Sequence, residues 1–457
     1  MLNYSKFATL IQNQSIAMKI LKFGGTSVGS AERMHALAKL INDNAPKIVV
    51  LSAMSGTTNN LVEIAIALYS KENDKANSLI DTLENKYKDV VKQLYSSETA
   101  INKGKELIDS HFAYLRAFTM DMFTINEERA ILAQGELLST ALFHYYLEEI
   151  KIDSVLLPAL NFMRIDENEE PDMKYIEINI KPEIQKYPKA NLFITQGYIC
   201  RNAFGEIDNL KRGGSDYTAT IVGAAIQSEE IQIWTDIDGM HNNDPRVVDK
   251  THPIAELSFD EAAELAYFGA KILHPTCILP AQTKNIPVRL LNTMQPEAKG
   301  TVISSKTTGD SIKAVAAKDD ITAINIKSGR MLLAYGFLRA VFEIFERYKT
   351  PIDMITTSEV AVSLTIDNTK NLEFIKKELE EFCTINIDSD LTIVCIVGSF
   401  AAEKQGYAFR IFDALKNIPI RMISYGGSEN NVSILVDSKL KKEALIALNK
   451  GLFSPTP

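Results

Sequence analysis

From Met18 onward, short apolar runs alternate with segments whose apolar residues recur every three or four positions. The run Met18 to Phe23 (MKILKF) reads as a strand ended by Gly24-Gly25, and a helical pattern through Met34, Leu37, Leu40 and Ile41 follows. A second apolar run, Lys47 to Leu51 (KIVVL), ends in the small-residue turn Ser52 to Asn59 and leads into a helix from Leu61 to Leu68. Residues 71–118 are charged and helix-prone, as expected of a helical excursion on one face of a sheet. Leu137 to Ile150 continues as helix, while Ser154 to Leu157, Leu192 to Thr195 and Ile231 to Thr235 read as strands. Strands alternating with helices predict a doubly wound α/β sandwich, in which ligands bind beyond the carboxyl ends of the strands.

The texture changes near residue 300, where Gly300, Thr301, Ser304, Ser305, Thr307, Thr308 and Gly309 cluster. This predicts one folded unit over 18–300, a linker over 301–311 and a new unit over 312–457. The last unit contains a repeat. Pro351-Ile352-Asp353-Met354-Ile355 is echoed by Pro419-Ile420-Arg421-Met422-Ile423, and Ser358-Glu359 with Val362-Ser363-Leu364 by Ser428-Glu429 with Val432-Ser433-Ile434. Each copy reads helix, strand, strand, giving two small α+β modules with repeat cores near 331–367 and 407–437. Neither copy carries a cluster of titratable residues suited to chemistry, so ligand sensing or dimerisation fits them better than catalysis.

A chain of 457 residues allows two to four domains, and 46% hydrophobic with 23% charged residues is the composition of an ordinary folded protein. The net charge of −9 argues against nucleic acid or an anionic membrane as the main partner, so any anionic ligand needs a local cationic site. Cys200, Cys277, Cys383 and Cys395 have no metal-type spacing and read as reduced structural thiols. With no run long enough to span a membrane and no signal-peptide pattern, a cytoplasmic location is expected. Residues 1–17 are polar and aperiodic up to Met18, which reads as a disordered leader and leaves Met18 as an alternative start.

Candidate chemistry lies in the glycine turns. Lys22-Phe23-Gly24-Gly25-Thr26-Ser27 sets a lysine at a strand end before glycines and a helix start, which suits an anion and equally reads as a plain βα turn. Lys211-Arg212-Gly213-Gly214-Ser215-Asp216 gathers a cation, a hydroxyl and a carboxylate at another helix start; Ser215 or Asp216 can be a simple N-cap, whereas Arg212 offers a fork for a carboxylate or phosphate. Thr235-Asp236, Asp238 and Asp244-Pro245-Arg246 form an acidic loop open to a nucleotide, to Mg²⁺ or to solvent alone, and Lys271 with His274 follows a further helix.

Taken together, KFGGTSVG, SAMSGTTNN, Gly135-Glu136, RGGSDYTA, WTDIDG with NDPR, FGAKILHP, and a tail of GFL, TTSEVAVSLT and SYGGSENNVS resemble aspartate kinase in the same order, from Lys19 to about Val436. The resemblance implies an amino-acid-kinase domain followed by two interleaved, ferredoxin-like ACT regulatory modules, without the homoserine dehydrogenase part of fused relatives. The implied reaction is ATP plus L-aspartate giving 4-phospho-L-aspartate and ADP, the first step toward lysine, threonine and methionine. Carried over by motif, Lys22 and Asp216 would be catalytic, and Thr58, Glu136, Arg212 and Ser215 would bind aspartate. ATP, with Mg²⁺ carried by the nucleotide, would meet Lys22, Phe23, Gly24, Gly25, Ser27, Thr235, Asp236, His241, Arg246, Lys271 and Ile272. His241 departs from the tyrosine common in the family.

In lysine-inhibited relatives the effector pocket falls on positions matching Met331, Gly336, Phe337, Leu338, Ile352, Asp353, Thr357, Ser358 and Glu359. The resemblance thus implies feedback inhibition by L-lysine, with threonine as the alternative effector, in an ACT-mediated homodimer or higher oligomer. Asp353 and Glu359 would serve a diamino acid; read alone, they are equally solvated ends of a strand and a turn. A carboxylate kinase of the same fold acting on another acid, or a non-catalytic amino-acid sensor, are the competing readings.

Overall fold

The computed structural model describes residues 18–120, 122–211, 213–269, 273–306, 311–327, 335–400 and 405–453. The expected leader over 1–17, and the expected site residues Arg212, Lys271, Ile272 and Met331, lie outside them. The described chain forms two compact units. The first holds the residues up to Gly239 with Leu273–Lys306, and the second holds Met240–Ile272 with everything from Thr307 onward.

The first unit is built on strands β1 (Lys19–Phe23), β2 (Lys47–Leu51), β3 (Val155–Leu157), β4 (Leu192–Gln196) and β7 (Glu230–Thr235), with a small hairpin β5 (Ile199–Arg201) and β6 (Ile207–Asn209) between the last two. After β8 (Glu256–Ser258), which falls in the second unit, come β9 (Val288–Asn292) and β10 (Thr301–Ser304). Within the first unit the sheet order is β3-β4-β2-β1-β7-β9-β10, parallel except for β9–β10. β2 and β4 are buried along their whole length, as expected of strands covered on both faces. Helices Ala31–Ile41 and Thr57–Tyr69, and the excursion helices Asn73–Leu94 and Glu98–Ala117, share one core in which Phe23, Met34, Leu61, Tyr87, Phe112 and Phe143 are fully buried or nearly so.

The parallel register brings Lys22 beside Val50 and Ile233, and Val50 beside Thr195, so β1, β2, β4 and β7 end together. The motif turns that follow these four strands therefore emerge at one edge of the sheet. Among the described residues no helix is long and apolar enough to cross a membrane.

One expectation is corrected and one is refined. The linker over 301–311 begins too early, because Thr301–Ser304 is a strand hydrogen-bonded to β9; its β-branched residues pair well, and the hydroxyls that suggested a linker lie within that strand. The division between units is also not a single cut near 300, because the segment Met240–Ile272 belongs with the C-terminal unit. There the helix Phe259–Phe268 packs on the long strands β11 (Ile312–Lys327) and β14 (Thr384–Gly398).

With β12 (Met354–Thr357), β13 (Ala361–Ile366), β15 (Met422–Tyr425) and β16 (Asn431–Asp437), these long strands form one antiparallel sheet in the order β12-β13-β11-β14-β16-β15. Two cores lie along it. Ile324 and Ile326 of β11 pack with Val341, Phe345 and Leu364, while Ile312 and Val315 of the same strand pack with Val394, Ile411, Val432 and Leu448. Each half of β11 thus serves a different repeat, which is the physical content of interleaving. The halves meet at register shifts around Lys318 and Ile321, with Asp320 in the left-handed region at φ 61°.

Gly300, which opens β10, has φ 64°, and a Cβ there would lie 1.8 Å from the Leu290 carbonyl oxygen. Gly300→Ala should therefore cost at least about 2 kcal/mol, read as a lower denaturation midpoint for the first unit in a urea titration.

Candidate active site

The shared edge of the sheet holds a cavity of about 370 Å³ lined by Lys22, Gly25, the loop Ser52 to Gly56, Thr58, Asn59, Glu136, Tyr198, Lys211 and the turn Gly213 to Asp216. Lys22 is one residue short of the end of β1, on a strand whose neighbours leave its side chain only 11% exposed. Its ammonium pairs with Asp216 at 2.7 Å. Asp216 lies in the first turn of helix Gly214–Ile226, whose N-cap is Gly213 with no side-chain cap. The N-cap alternative for Ser215 and Asp216 is thereby set aside. Both side chains line the cavity, at the positive end of a 13-residue helix.

The glycine turn after β1 differs from expectation in one respect. The following helix begins at Ala31 and is capped by Ser30, so the Gly24 and Gly25 amides belong to a loop and not to a helix N-terminus. That loop is stitched to the one after β2: Ser52 N–H donates to the Phe23 carbonyl at 3.2 Å and Ser55 N–H to the Gly25 carbonyl at 3.1 Å. A Cβ on Gly25 would stand 2.8 Å from the Ala53 carbonyl oxygen, so only glycine lets the two loops approach this closely. Lys86, from the helical excursion, braces the same loop by donating to the Ser55 carbonyl at 2.8 Å.

Glu136 reaches the cavity from the middle of the long helix Ile125–Glu149 and is only 3% exposed. One carboxylate oxygen accepts from Ala53 N–H at 3.1 Å, and the other has no hydrogen-bond partner. Burial pushes its carboxyl up to about 8, and hydrogen bonds from Ala53 and its own N–H oppose this only in part. An acid this deep, half satisfied and open to a cavity is arranged to receive a cation. Thr58 lies on the first turn of helix Thr57–Tyr69 and faces the same space.

The structure thus gathers Lys22, Gly25, Thr58, Glu136, Ser215 and Asp216 around one cavity. Phe23, Gly24, Ser27, Thr235 and Asp236 do not line it. They sit around the neighbouring strand ends: Phe23 stacks on Trp234 at 5.6 Å, Ser27 hydrogen-bonds Thr293 at 2.9 Å, and Thr235 donates to Asp236 at 3.1 Å. His241 and Arg246 belong to the second unit. There His241 hydrogen-bonds Thr251 at 2.8 Å, and the exposed Arg246 guanidinium is forked onto Asp244 at 2.8 and 2.9 Å. Sequence reasoning singled out neither Tyr198 nor Lys211 as site residues. Tyr198 follows Gln196-Gly197 beyond β4, and its left-handed φ of 66° was not readable from sequence, although a polar aromatic just past a strand end was a usable signal.

In the second unit, Gly336 caps the helix Phe337–Arg347 without a side chain, which leaves the first-turn N–H groups of that helix without a side-chain cap. Phe337 and Ile352 are half-buried, Leu338 is 40% exposed, and Thr357, Ser358 and Glu359 are exposed. Asp353 departs from the reading of it as a solvated strand end, and its carboxylate already has a partner: its side chain is fully buried against Lys318 at 2.7 Å.

Residues 17–292 match the model of the amino acid kinase family, and residues 394–452 match an ACT domain. The chain is 33% identical to the lysine-sensitive aspartokinase 3 of Escherichia coli over 95% of its own length and 99% of the relative's. It is 35% identical to the chloroplastic aspartokinase 3 of Arabidopsis thaliana, over 95% of this chain and 81% of that one. Two solved structures of E. coli aspartokinase III, each 32% identical and covering 96% of this chain and all of the other, superpose with TM-scores of 0.82 for the complex with aspartate and ADP and 0.79 for the complex with lysine and aspartate. A fold whose strand ends converge on a lysine–aspartate pair, a match to the amino acid kinase model over more than half the chain, and full-length likeness to aspartokinases lead to one conclusion: the chain belongs to the aspartokinase family, with an amino-acid-kinase α/β domain followed by ACT structure.

Proposed function

We propose that this chain transfers the terminal phosphoryl group of ATP to the side-chain carboxylate of L-aspartate, giving 4-phospho-L-aspartate and ADP. The observation that carries the reading is the convergence, in one cavity, of the Lys22–Asp216 ion pair with the buried, half-unpaired carboxylate of Glu136. The acceptor needs no general base, since a free aspartate side chain with a pKa near 3.9 is already ionised at neutral pH. Catalysis then reduces to holding two anions together and neutralising charge on the moving group. Lys22 is the cation for that task, and Asp216 holds its ammonium in place. Glu136 takes the α-ammonium of aspartate, which supplies the charge its second oxygen lacks. Thr58 and Ser215 offer hydroxyls to the substrate, and Arg212 is proposed to grip the α-carboxylate. Thr235, Asp236, His241, Arg246, Lys271 and Ile272 are proposed for the nucleotide.

Among the described residues no group of three His, Cys, Asp or Glu side chains is placed to hold a metal ion. The Asp216 carboxylate at the cavity suits a Mg²⁺ that arrives on the nucleotide phosphates, where its charge would offset theirs. For regulation, the relative named lysine-sensitive and the similar structure holding lysine support L-lysine as the feedback effector; its action on the ACT unit of a homo-oligomer is proposed with it.

An ADP-release assay with L-aspartate, L-glutamate and N-acetyl-L-glutamate tests the reading: turnover is expected with aspartate, and turnover only with another acid sinks it. Lys22→Ala should lower kcat by roughly 10²–10³-fold, whereas Arg212→Ala should act mainly by raising the KM for aspartate. Near-normal kcat in the first, or unchanged constants in the second, would remove those roles.

Glu136 makes a pH prediction. Its carboxyl titrates near 8 in the unligated fold against 4.5 in the unfolded chain, so the native state binds the extra proton between those values. Its contribution to stability is present below pH 4.5 and is lost as pH rises through 8, with a slope of up to about 1.4 kcal/mol per pH unit. Glu136→Gln should lack this slope in urea titrations of the unligated protein between pH 5 and 9. Binding of the substrate ammonium requires the ionised form, so aspartate affinity should rise with pH toward 8 in the wild type, accompanied by proton release in calorimetry.

A further inference from the structure

Asp353 sits at the start of the first repeat's β12, and its buried carboxylate is already occupied. Lys318 of β11 places its ammonium 2.7 Å from Asp353 Oδ1 and 2.9 Å from Asp367 Oδ2. The Tyr267 hydroxyl donates to the same Asp353 oxygen at 2.6 Å, and the Lys318 ammonium also lies 4.2 Å from the centre of the Tyr267 ring. Asp353 Oδ2 is buried without a hydrogen-bond partner. Lys318 stands where the register of β11 against β14 shifts, so its side chain is re-aimed by the break between the two halves of that strand. Although burial acts to depress it, hydrogen bonds to Asp353 and Asp367 hold the Lys318 ammonium above its ordinary range, and burial with the Asp353 bond pushes the Tyr267 hydroxyl up to about 12, so both remain donors.

The chemistry of the pair is the telling feature. A lysine side chain offers Asp353 the same butylammonium group that free L-lysine carries. The two partners of Lys318 differ in depth: the Asp353 side chain is wholly buried, while that of Asp367 is 35% exposed. An ammonium arriving from outside can take Asp353 while Lys318 keeps a charge partner in Asp367, so the exchange strands no buried charge.

We infer that Lys318 is a built-in competitor of the effector: its side chain occupies the Asp353 carboxylate that the side-chain ammonium of free lysine must win, so lysine binds by displacing Lys318 from Asp353. This rests on the reading of lysine as effector. The exchange also reaches the helix Phe259–Phe268. Tyr267 on that helix shares the contested oxygen, and a Cβ on Gly269, just beyond it, would lie 2.4 Å from the carbonyl oxygen of Ala317, the neighbour of Lys318.

The test uses the full-length chain. Lys318→Ala removes the competing ammonium and leaves room for an alkylammonium, so the lysine concentration giving half-inhibition, normalised to the variant's own activity without lysine, should fall about tenfold, equivalent to about 1.4 kcal/mol. Calorimetric titration of lysine should show the same tightening. n-Butylamine, which lacks the amino-acid head, should raise the melting temperature of Lys318→Ala and leave that of the wild type unchanged. Tyr267→Phe, which keeps the ring and removes one donor from Asp353, should shift lysine inhibition a few-fold in the same direction and serves if Lys318→Ala does not fold. Unchanged or weaker lysine inhibition in these variants, with the wild type still inhibited, overturns the competition and leaves the effector reading intact. A wild-type enzyme indifferent to lysine overturns the effector reading itself.

Discussion

A carboxylate removed from water must meet a positive charge or take up a proton. Three buried acids of this chain answer that requirement in three ways. Asp216 is neutralised by Lys22 from the neighbouring strand end. Among the described residues Glu136 pairs with no cation, burial raises its pKa toward neutrality, and it is proposed to receive a cation from the substrate. Asp353 has Lys318. In the proposed reaction the first arrangement would set the position of the phosphoryl-facing ammonium and the second would select an amino acid over a simple acid, and in the inferred competition the third would act as a latch on the regulatory module.

The scaffold serves these charges by alignment. Parallel pairing of β1 with β2 and β7, and of β2 with β4, ends four strands at one level, and the turn after each carries residues unsuited to regular structure: glycines, serines and a left-handed tyrosine. Packing energy is invested in the apolar strands and helices behind them, where Phe23, Leu61 and Tyr87 are buried. The edge itself can then remain polar and open. In the second unit the same economy is achieved with length: two strands of 16 and 15 residues each cross both repeats, and the register break at Lys318 marks the point where one core hands over to the other.

Much of this was legible in the residues. The alternation of apolar runs and helical periodicity predicts the parallel sheet, and the strands Lys19–Phe23, Lys47–Leu51 and Glu230–Thr235 lie within a residue or two of their expected bounds. The motif residues Lys22, Thr58, Glu136, Ser215 and Asp216, scattered over 195 positions, do line one cavity. What sequence left undecided has a common cause. Thr301–Ser304 read as linker because hydroxyl residues suit turns and edge strands alike, and only pairing with β9 decides between them. Segment Met240–Ile272 lies within the stretch that matches the amino acid kinase model, yet by its contacts it groups with the C-terminal unit, because sequence order carries no record of which core a helix joins.

Sequence by itself determined the class of fold, the family and the inventory of charged groups, because periodicity and motif order are local properties of the chain. The state of those charges was decided only by tertiary structure. Whether Glu136 is ionised depends on how deeply a 25-residue helix carries it into the sheet edge, and whether Asp353 is free depends on a lysine 35 positions away in sequence. Solvation and pairing are properties of the assembled neighbourhood, and no residue carries them alone.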